Sequence, residues 1–350
     1  RRTGGVKNMS SNVRATEDRP YVVGFVSSPN PHTPMHVKTM ETLDQVQTVH
    51  YCGIEDEDVE AVVAGASKVG STTNNLGELL ARPDLDALLV STSNDRCPGV
   101  VEAGIDAGLP VLFEKPGAVS AADLRRLAEK ARGKGVTLGA MYTWRKNPIV
   151  LEVLGARRDG ALGRVMTVES RMVTSQVRYR DPSYWLFSKE RAGSGILSWL
   201  ACHHIDMLCF LLEDRVVEVT AMLGNQNRED ITVEDTACVV LRFGSGVLGT
   251  VHAGYHISGS RPGYEGASGD MFLALRGTEG HVTMPLSERN RYTLFSIAPG
   301  WASGGARHRS FDPPASTAYA GASGAEFVSA FLEAGRAGQP APCPIEDSVH

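Results

Sequence analysis

The sequence predicts an α/β protein in two parts. The first is a Rossmann-like, doubly wound parallel sheet, and the second is an α+β domain on a large, mostly antiparallel sheet. Three observations support this. Short apolar runs alternate with helical patterns up to about residue 146, and longer alternating strands dominate from residue 164. The chain has 350 residues, enough for two domains that each bury a core.

In the first half, each predicted strand is followed by a predicted helix. Short apolar runs predict buried strands at 21–26, 48–52, 87–91, 111–113 and 136–141. Helical patterns occupy 35–43, 56–66, 76–81, 98–107 and 120–132, and a further helix spans 147–158. Ser120, with Asp123 three residues later, resembles a capping box. This alternation implies βαβ units and therefore a parallel sheet.

The second half has the pattern of an antiparallel sheet. Alternating strands are predicted at 164–174, 216–223, 236–243, 246–254, 271–276 and 280–284, with helices at about 197–212 and 326–335. The segment Gly244-Ser245-Gly246 predicts a hairpin turn, and the Gly- and Ser-rich segment 254–269 predicts a mobile loop. We therefore predict a flexible tail at 1–19, a doubly wound first domain at 20–146, and an α+β second domain at 147–350.

Composition narrows the class of protein. A net charge of -5 gives no basic field for nucleic acid or an acidic membrane surface. The six cysteines are scattered without a C-x-x-C pair, which argues against a zinc ribbon or disulfide scaffold and suits a reducing cytoplasm. Polar residues interrupt the apolar stretch 196–212, which argues against a membrane span. We expect a cytoplasmic protein.

A lysine stands at the end of one predicted strand. The apolar run Val111-Leu112-Phe113 leads directly into Glu114-Lys115-Pro116, and a proline cannot continue the ladder. Ligands bind at the carboxyl ends of strands in open α/β sheets. Position therefore makes Lys115 a candidate site residue, although a solvated lysine at a strand end is equally consistent with the pattern.

The order of elements, Glu114-Lys115-Pro116 and the later Gly193-Ser194-Gly195, His203 and Asp206 together resemble the Gfo/Idh/MocA family of sugar and inositol dehydrogenases. The resemblance covers about 20–345. It implies hydride transfer between NAD or NADP and a carbinol of a sugar, polyol or sugar derivative. It also implies that 20–146 is a dinucleotide-binding domain and that 147–350 is a substrate and oligomerisation domain. The protein would then be a homodimer or homotetramer assembled through the C-terminal sheet.

The resemblance also implies roles for individual residues. Lys115 would stabilise developing alkoxide charge and His203 would accept the hydroxyl proton. The implied cofactor-binding residues are Gly24, Val26, Ser27, Ser28, Thr92, Ser93, Asn94, Glu114, Lys115 and Arg145; the candidate substrate-binding residues are Trp199, His204, Tyr184 and Trp185. Tyr184 and Trp185 are equally consistent with core aromatics.

Three features depart from the family pattern. The glycine-rich turn that holds a pyrophosphate is replaced by a segment with prolines at 29, 31 and 34. Cys52-Gly53-Ile54 stands where an acid would bind ribose, with Glu55 just beyond. Trp199 stands one turn before His203, where the family usually has an aspartate. The alternative is therefore a redox-inactive or non-redox member that binds a sugar-like metabolite.

A metal site at His203, His204 and Asp206, with His252 and His256 downstream, is also conceivable. The resemblance instead makes His203 a base, and Asp206 is better explained as a residue that orients the helix. We therefore expect no metal.

Three further residues have the chemistry of site residues. His32 and His36, four residues apart at the start of a helix, could face a bound anion but are more often solvated. Cys97 lacks a neighbouring base in the sequence, so we predict a buried structural thiol.

Overall fold

A computed structural model of the chain describes residues 19–258, 269–287, 290–302 and 305–350. The predicted flexible tail at 1–19 lies outside the described residues except for Arg19. Most of the predicted loop at 254–269 is also outside them. Its first residues, up to Ile257, belong instead to a strand.

The first sheet is parallel throughout, in the order β3-β2-β1-β4-β5-β6. Its strands are β1 Tyr21–Ser27, β2 Val46–Gly53, β3 Val69–Thr73, β4 Ala87–Ser91, β5 Val111–Phe113 and β6 Leu138–Ala140. The helices between them are α1 Thr33–Thr42, α2 Val59–Val62, α3 Leu76–Leu80, α4 Cys97–Asp106 and α5 Ala121–Lys134. The predicted doubly wound parallel sheet is confirmed.

The second sheet has eight strands in the order β14-β13-β12-β11-β7-β10-β9-β8. They are β7 Val165–Ser175, β8 Val216–Gly224, β9 Thr236–Phe243, β10 Leu248–Ile257, β11 Asp270–Gly277, β12 Gly280–Met284, β13 Arg291–Ser296 and β14 Arg307–Ser310. The pair of β10 and β7 is parallel and the other pairs are antiparallel, as the mostly antiparallel prediction requires.

The remaining helices connect or cover the sheets. They are α6 Pro148–Arg158, α7 Lys189–Ala192, α8 Cys202–Leu212, α9 Gly321–Ala337 and α10 Ile345–Val349. Single 3₁₀ turns lie at Thr143–Lys146, Val177–Tyr179 and Trp185–Phe187, and a π-helical turn at Leu197–Ala201 precedes α8. The predicted helix 197–212 is therefore two segments, and its π turn is a feature common at functional sites.

Local sequence explains the elements that were predicted well. The hydroxyl of Ser120 accepts a hydrogen bond from the backbone N–H of Asp123 at the start of α5, as in a capping box. The helix buries Leu124 and Leu127 and ends at Gly135, whose φ of 67° suits a residue without Cβ. In the predicted hairpin turn between β9 and β10, Gly246 has a φ of 89°.

Other elements departed from their sequence patterns. The predicted helix 56–66 shrinks to α2, because Asp58 caps it and Gly65, at φ 83°, ends the segment. The strand β3 is short and small-to-polar in sequence, so no apolar run marked it. The strands β13 and β14 were not predicted, since neither is marked by a continuous apolar run.

The C-terminal end of the chain returns to the first domain. Phe327 and Phe331 of α9, together with Cys343, are buried in the hydrophobic core of the parallel sheet. Backbone pairing extends this contact, since the N–H of Ala140 donates to the carbonyl of Cys343 at 3.1 Å. A contiguous second domain over 147–350 therefore does not describe the packing of these last helices.

One helical stretch, Lys189–Leu212, is long and apolar enough to cross a membrane by length and composition. Two-thirds of its most apolar window is buried within the structure. Met207, Leu208 and Leu211 lie in the core of the second domain. This burial is that of a core helix in a globular protein.

Candidate functional site

The carboxyl edge of the parallel sheet gathers several predicted cofactor-binding residues. Because β1 and β4 are adjacent, with Ser27 opposite Ser91, the segments that follow them meet. The N–H of Ser93 donates to the Ser28 hydroxyl at 3.0 Å, and the Asn30 amide donates to the carbonyl of Thr92 at 3.3 Å. The hydroxyl of Ser27 is buried without a hydrogen-bond partner in the described part of the chain. Gly24 and Val26 lie within β1 itself.

At the start of α1, the backbone N–H groups that could bind a phosphate already donate hydrogen bonds within the protein. The N–H of His32 donates to the side-chain oxygen of Asn30, and the N–H of Thr33 to its carbonyl. The N–H of Met35 donates to the carbonyl of His32, and Pro34 has none. Pyrophosphate binding at a helix N-terminus depends on such free N–H groups. These donors are already satisfied within the turn.

Glu55, beyond the end of β2, is bound by protein partners. Its carboxylate accepts from the Ser93 hydroxyl at 3.1 Å and pairs with Arg96 at 3.0 Å and Arg191 at 2.7 Å. The acid nearest the expected ribose position is thus tied to α4 and to the second domain.

A segment of the second domain covers the same edge. The Tyr184 hydroxyl and the Trp185 indole N–H both donate to the carbonyl of Pro29, at 2.5 and 2.8 Å. Further along, the Asn94 amide donates to the carbonyl of Ala192 at 2.9 Å. Tyr184 and Trp185, predicted as substrate-binding candidates, therefore clamp the first turn to the second domain in this structure.

Trp199 lies directly over Lys115. The ammonium of Lys115 is 3.9 Å from the centroid of the indole ring and donates to the Trp199 carbonyl at 2.6 Å. His32 stacks on the same ring with a centroid distance of 4.7 Å, and Trp185 meets it edge-on at 5.8 Å. Lys115 is only 1% exposed. The predicted catalytic lysine is therefore sealed beneath an aromatic ring.

The family resemblance implies that a dinucleotide binds at the carboxyl edge of the parallel sheet, where the contacts just described lie. The phosphate donors are satisfied, Glu55 is ion-paired, and Trp199 lies against Lys115. In this conformation, protein groups occupy the contacts that a dinucleotide would make at this edge. For a dinucleotide to bind at this edge, the segment 184–199 would have to move away from it.

The second domain contributes a cavity of about 420 Å³ where it meets the first domain. Residues of both domains line it, including His203, His204, His32, Met172, Trp144 and Tyr319. His203 and His204 were predicted as site residues and both reach this space. Trp199, Tyr184 and Trp185 are not among its lining residues.

His203 presents an unsatisfied nitrogen in this region. Its Nδ1 is buried and has no hydrogen-bond partner in the part of the chain that the structure describes. Burial, reinforced by the nearby charge of Lys115, holds the pKa of His203 well below its usual range. The imidazole is therefore neutral at pH 7 and able to exchange a hydrogen bond or proton with a ligand.

His204 and Arg145 are engaged in structural contacts. The Nδ1 of His204 hydrogen bonds to the Ser170 hydroxyl at 2.5 Å, and burial lowers its pKa to about 3. Arg145, predicted as a cofactor residue, binds Asp206 at 2.5 Å and Asp347 at 2.7 Å beside a second cavity of about 520 Å³. Asp206 thus holds the first domain to α8, in accordance with an orienting role.

Sequence reasoning misjudged His32 and His36. Both are buried rather than solvated. Both contact the carboxylate of Glu114, at 3.0 and 2.6 Å, rather than a bound anion. Their spacing of four residues was the available signal, but the carboxylate partner lies 78 or more residues away in sequence. Cys97 is buried, as predicted, and burial raises its pKa to about 12.

A doubly wound parallel sheet joined to a large, mostly antiparallel sheet, with a cavity at their junction, is the two-domain architecture that the family resemblance implies. Comparison with family models agrees. Residues 21–142 match an oxidoreductase family with an NAD-binding Rossmann fold, and residues 150–283 match the GFO/IDH/MocA C-terminal domain. The chain belongs to the Gfo/Idh/MocA family of oxidoreductases.

Relatives in this family act on sugars and polyols by name. The chain is 29% identical to a 1,5-anhydro-D-fructose reductase of Ensifer adhaerens over 66% of its own length and 73% of the relative. It is 23% identical to a levoglucosan dehydrogenase of Pseudarthrobacter phenanthrenivorans, over 68% of its own length and 65% of that protein.

Solved structures show the same fold. A levoglucosan dehydrogenase in complex with NADH and levoglucosan aligns with a TM-score of 0.81 at 18% identity, covering 95% of this chain and 94% of that one. An oxidoreductase domain protein from Kribbella flavida aligns equally well, with a TM-score of 0.81 at 20% identity over the same shares of both chains.

Proposed function

We propose that the protein is an NAD(P)-dependent oxidoreductase that acts on a carbinol of a sugar, polyol or sugar derivative bound in the cavity between the two domains. The observation that carries this proposal is the buried, unpartnered Nδ1 of His203 beside that cavity. Family membership supports the reaction class, and the names of the relatives support the class of substrate.

His203 lines the cavity, and a substrate hydroxyl that reaches its Nδ1 would give this buried atom a hydrogen-bond partner. A buried polar atom without a partner costs about 1–3 kcal/mol, so a ligand hydrogen bond at Nδ1 recovers free energy. Burial keeps the imidazole neutral, so it can take up the hydroxyl proton as the carbinol is oxidised. In the reverse direction the same nitrogen returns that proton.

The cover that Trp199 forms over Lys115 limits when this lysine can contribute to catalysis. While Trp199 lies 3.9 Å from its ammonium, Lys115 has no access to the cavity. We propose that the protein binds NAD or NADP after the segment 184–199 moves away from the edge. Lys115 then faces the cleft, where its charge stabilises an alkoxide. The preference between the two cofactors does not follow from these residues.

Turnover of a panel of polyols and sugars, with NAD⁺ and NADP⁺ supplied separately, tests the proposal. We expect oxidation of at least one polyol or sugar, and a loss of about 10²–10⁴-fold in kcat/KM for His203→Gln. The matched control is His281→Gln, which changes an exposed histidine on β12 and should leave turnover unchanged. Sugar binding without turnover, and without binding of NADH or NADPH, would instead favour a non-redox member of the family.

The second sheet exposes several apolar side chains on one face. Met222, Val240 and Leu248 are exposed on the outer face of β8, β9 and β10, at 81%, 52% and 44%. Exposed apolar groups that are contiguous on one sheet are typical of an interface. We propose a homo-oligomer assembled through this face, in a reducing cytoplasm where all six cysteines stay free. Light scattering should show Met222→Glu to be of lower molecular mass than the parent protein, and an unchanged mass would exclude this face.

A further inference from the structure

Three potential metal ligands meet at the edge where the glycine-rich turn has been replaced. The Nδ1 of His32 lies 3.0 Å from Oε1 of Glu114, and the Nε2 of His36 lies 2.6 Å from the same oxygen. The ligand atoms of all three residues fall within 4.8 Å of one another. In the described part of the chain, this is the one group of three or more such residues so arranged.

The fold holds these side chains in place from two elements. His32 is the N-cap of α1, and His36 follows one turn later, so both rings lie on one face of the helix. Glu114 comes directly after β5, which is separated from β1 by β4 in the sheet, and enters from the same carboxyl edge. Tyr319 packs against both imidazoles, with ring centroids 4.7 and 4.6 Å away. Such fixed side chains resemble a preorganised ligand set.

Hydrogen bonding between these residues is incomplete. Both imidazoles approach the same oxygen of Glu114, while Oε2 is buried and without a partner in the described residues. The Nδ1 of His36 is likewise buried and unpartnered. A carboxylate that is 3% exposed has therefore lost its water and gained only part of the hydrogen bonding that would replace it.

We propose that His32, His36 and Glu114 form a binding site for a divalent transition-metal ion of the class that prefers imidazole and carboxylate, such as Zn²⁺. Two imidazoles and one carboxylate are an established ligand set for zinc and for non-haem iron. Metal–ligand bonds of about 2.0–2.2 Å need only a modest separation of groups that already touch. The proposal is independent of the proposed oxidoreductase function and revises the sequence-based expectation of no metal.

Position and charge define the remaining coordination. His32 and Tyr319 also line the cavity at the domain junction, so a further ligand, water or substrate oxygen, can approach from there. The carboxylate of Glu114 attracts a cation, and the charge of Lys115 opposes it. Metal ligation needs neutral imidazoles, and both rings are buried away from water.

Metal binding to the chelator-treated full chain tests the site directly. We expect one equivalent of Zn²⁺ by calorimetry, and one equivalent of Co²⁺ with the visible absorption of a low-coordinate ion. Glu114→Gln and His36→Gln should each weaken binding by more than about 10-fold, which is the least that loss of even an outer partner costs a metal site. The control is His252→Gln, which alters a separate pair, His252 and His256, with ring centroids 5.8 Å apart.

Each outcome decides the matter. Loss of binding in Glu114→Gln with retention in His252→Gln supports the site. Absence of stoichiometric binding, or binding that only His252→Gln removes, overturns it. Should the site variants fail to fold, the melting temperature of the parent protein still reports on metal binding. A metal that binds the native state raises this temperature as the metal concentration increases. None of these readouts depends on NAD(P) or on turnover, so they stand whether or not the proposed reaction is found.

Discussion

The two sides of the domain junction differ in how they use buried polar groups. At the sheet edge, Lys115, Glu114 and His32 are packed against other protein groups beneath Trp199, although Oε2 of Glu114 has no partner in the described residues. Across the junction, His203 lies beside an open cavity with an unpartnered nitrogen. The proposed substrate side can therefore receive a ligand in the free protein, whereas protein groups occupy the proposed cofactor side.

The largest expected effect comes from Lys115→Met, which keeps the length of the side chain and removes its charge. If the edge opens during turnover, loss of this cation should lower kcat by about 10²–10³-fold, the usual cost of removing one group that stabilises an oxyanion. Steady-state kinetics with the best polyol or sugar measures this. An unchanged kcat with tighter NADH binding would show that Lys115 only anchors Trp199.

Trp199→Leu should weaken the seal itself. The indole packs on His32 and Lys115, so we expect unfolding free energy to fall by about 2–5 kcal/mol, as for other large-to-small core changes. NADH should bind more than about 10-fold tighter, because relief of about 1.4 kcal/mol of displacement cost is enough for that. Calorimetric titration measures the affinity, and urea denaturation measures the stability. Weaker NADH binding in a folded variant would mean that Trp199 contacts the cofactor rather than excluding it.

The smallest effect is a pH dependence that distinguishes the two sides. Burial lowers the pKa of His32 to about 4 and of His204 to about 3, from an ordinary value near 6.5. Between these values the unfolded chain binds protons that the folded chain does not, so stability is full above about pH 6.5 and falls as the pH decreases. The expected slope is on the order of 1 kcal/mol per pH unit for each histidine.

Urea denaturation at pH 7.5, 6 and 5 checks this slope. His204→Gln should remove the contribution of the cavity side, and His32→Gln that of the sheet edge. A stability that is flat over this range would contradict the buried neutral state of both rings.

The sequence was sufficient for most of the architecture. Apolar runs at β1, β4 and β5 are buried on both faces, so composition alone identified them, and Ser120 marked the start of α5. It was insufficient for β3, β13 and β14, whose half-exposed residues carry no continuous apolar pattern. The return of α9 to the first core depends on tertiary contacts far apart in sequence.

The candidate site was predictable only in part. Glu114-Lys115-Pro116 and His203 could be singled out from residue type and the family resemblance. The partners that decide their state could not: Lys115 is covered by Trp199, 84 residues away, and Glu114 meets His36, 78 residues away. A local pattern identifies groups with the right chemistry, and the fold determines which of them meet a ligand.

Hydrogen–deuterium exchange of the segment 184–201, with and without saturating NADH, tests most directly whether protein occupies the cofactor side. We expect slow exchange at Trp199 and its neighbours in the free protein. When NADH binds, exchange in this segment should become faster, because the side-chain contacts that hold it to Pro29, Asn94 and Lys115 are lost and its own backbone hydrogen bonds then open more often. Slower or unchanged exchange in the presence of bound NADH would contradict it.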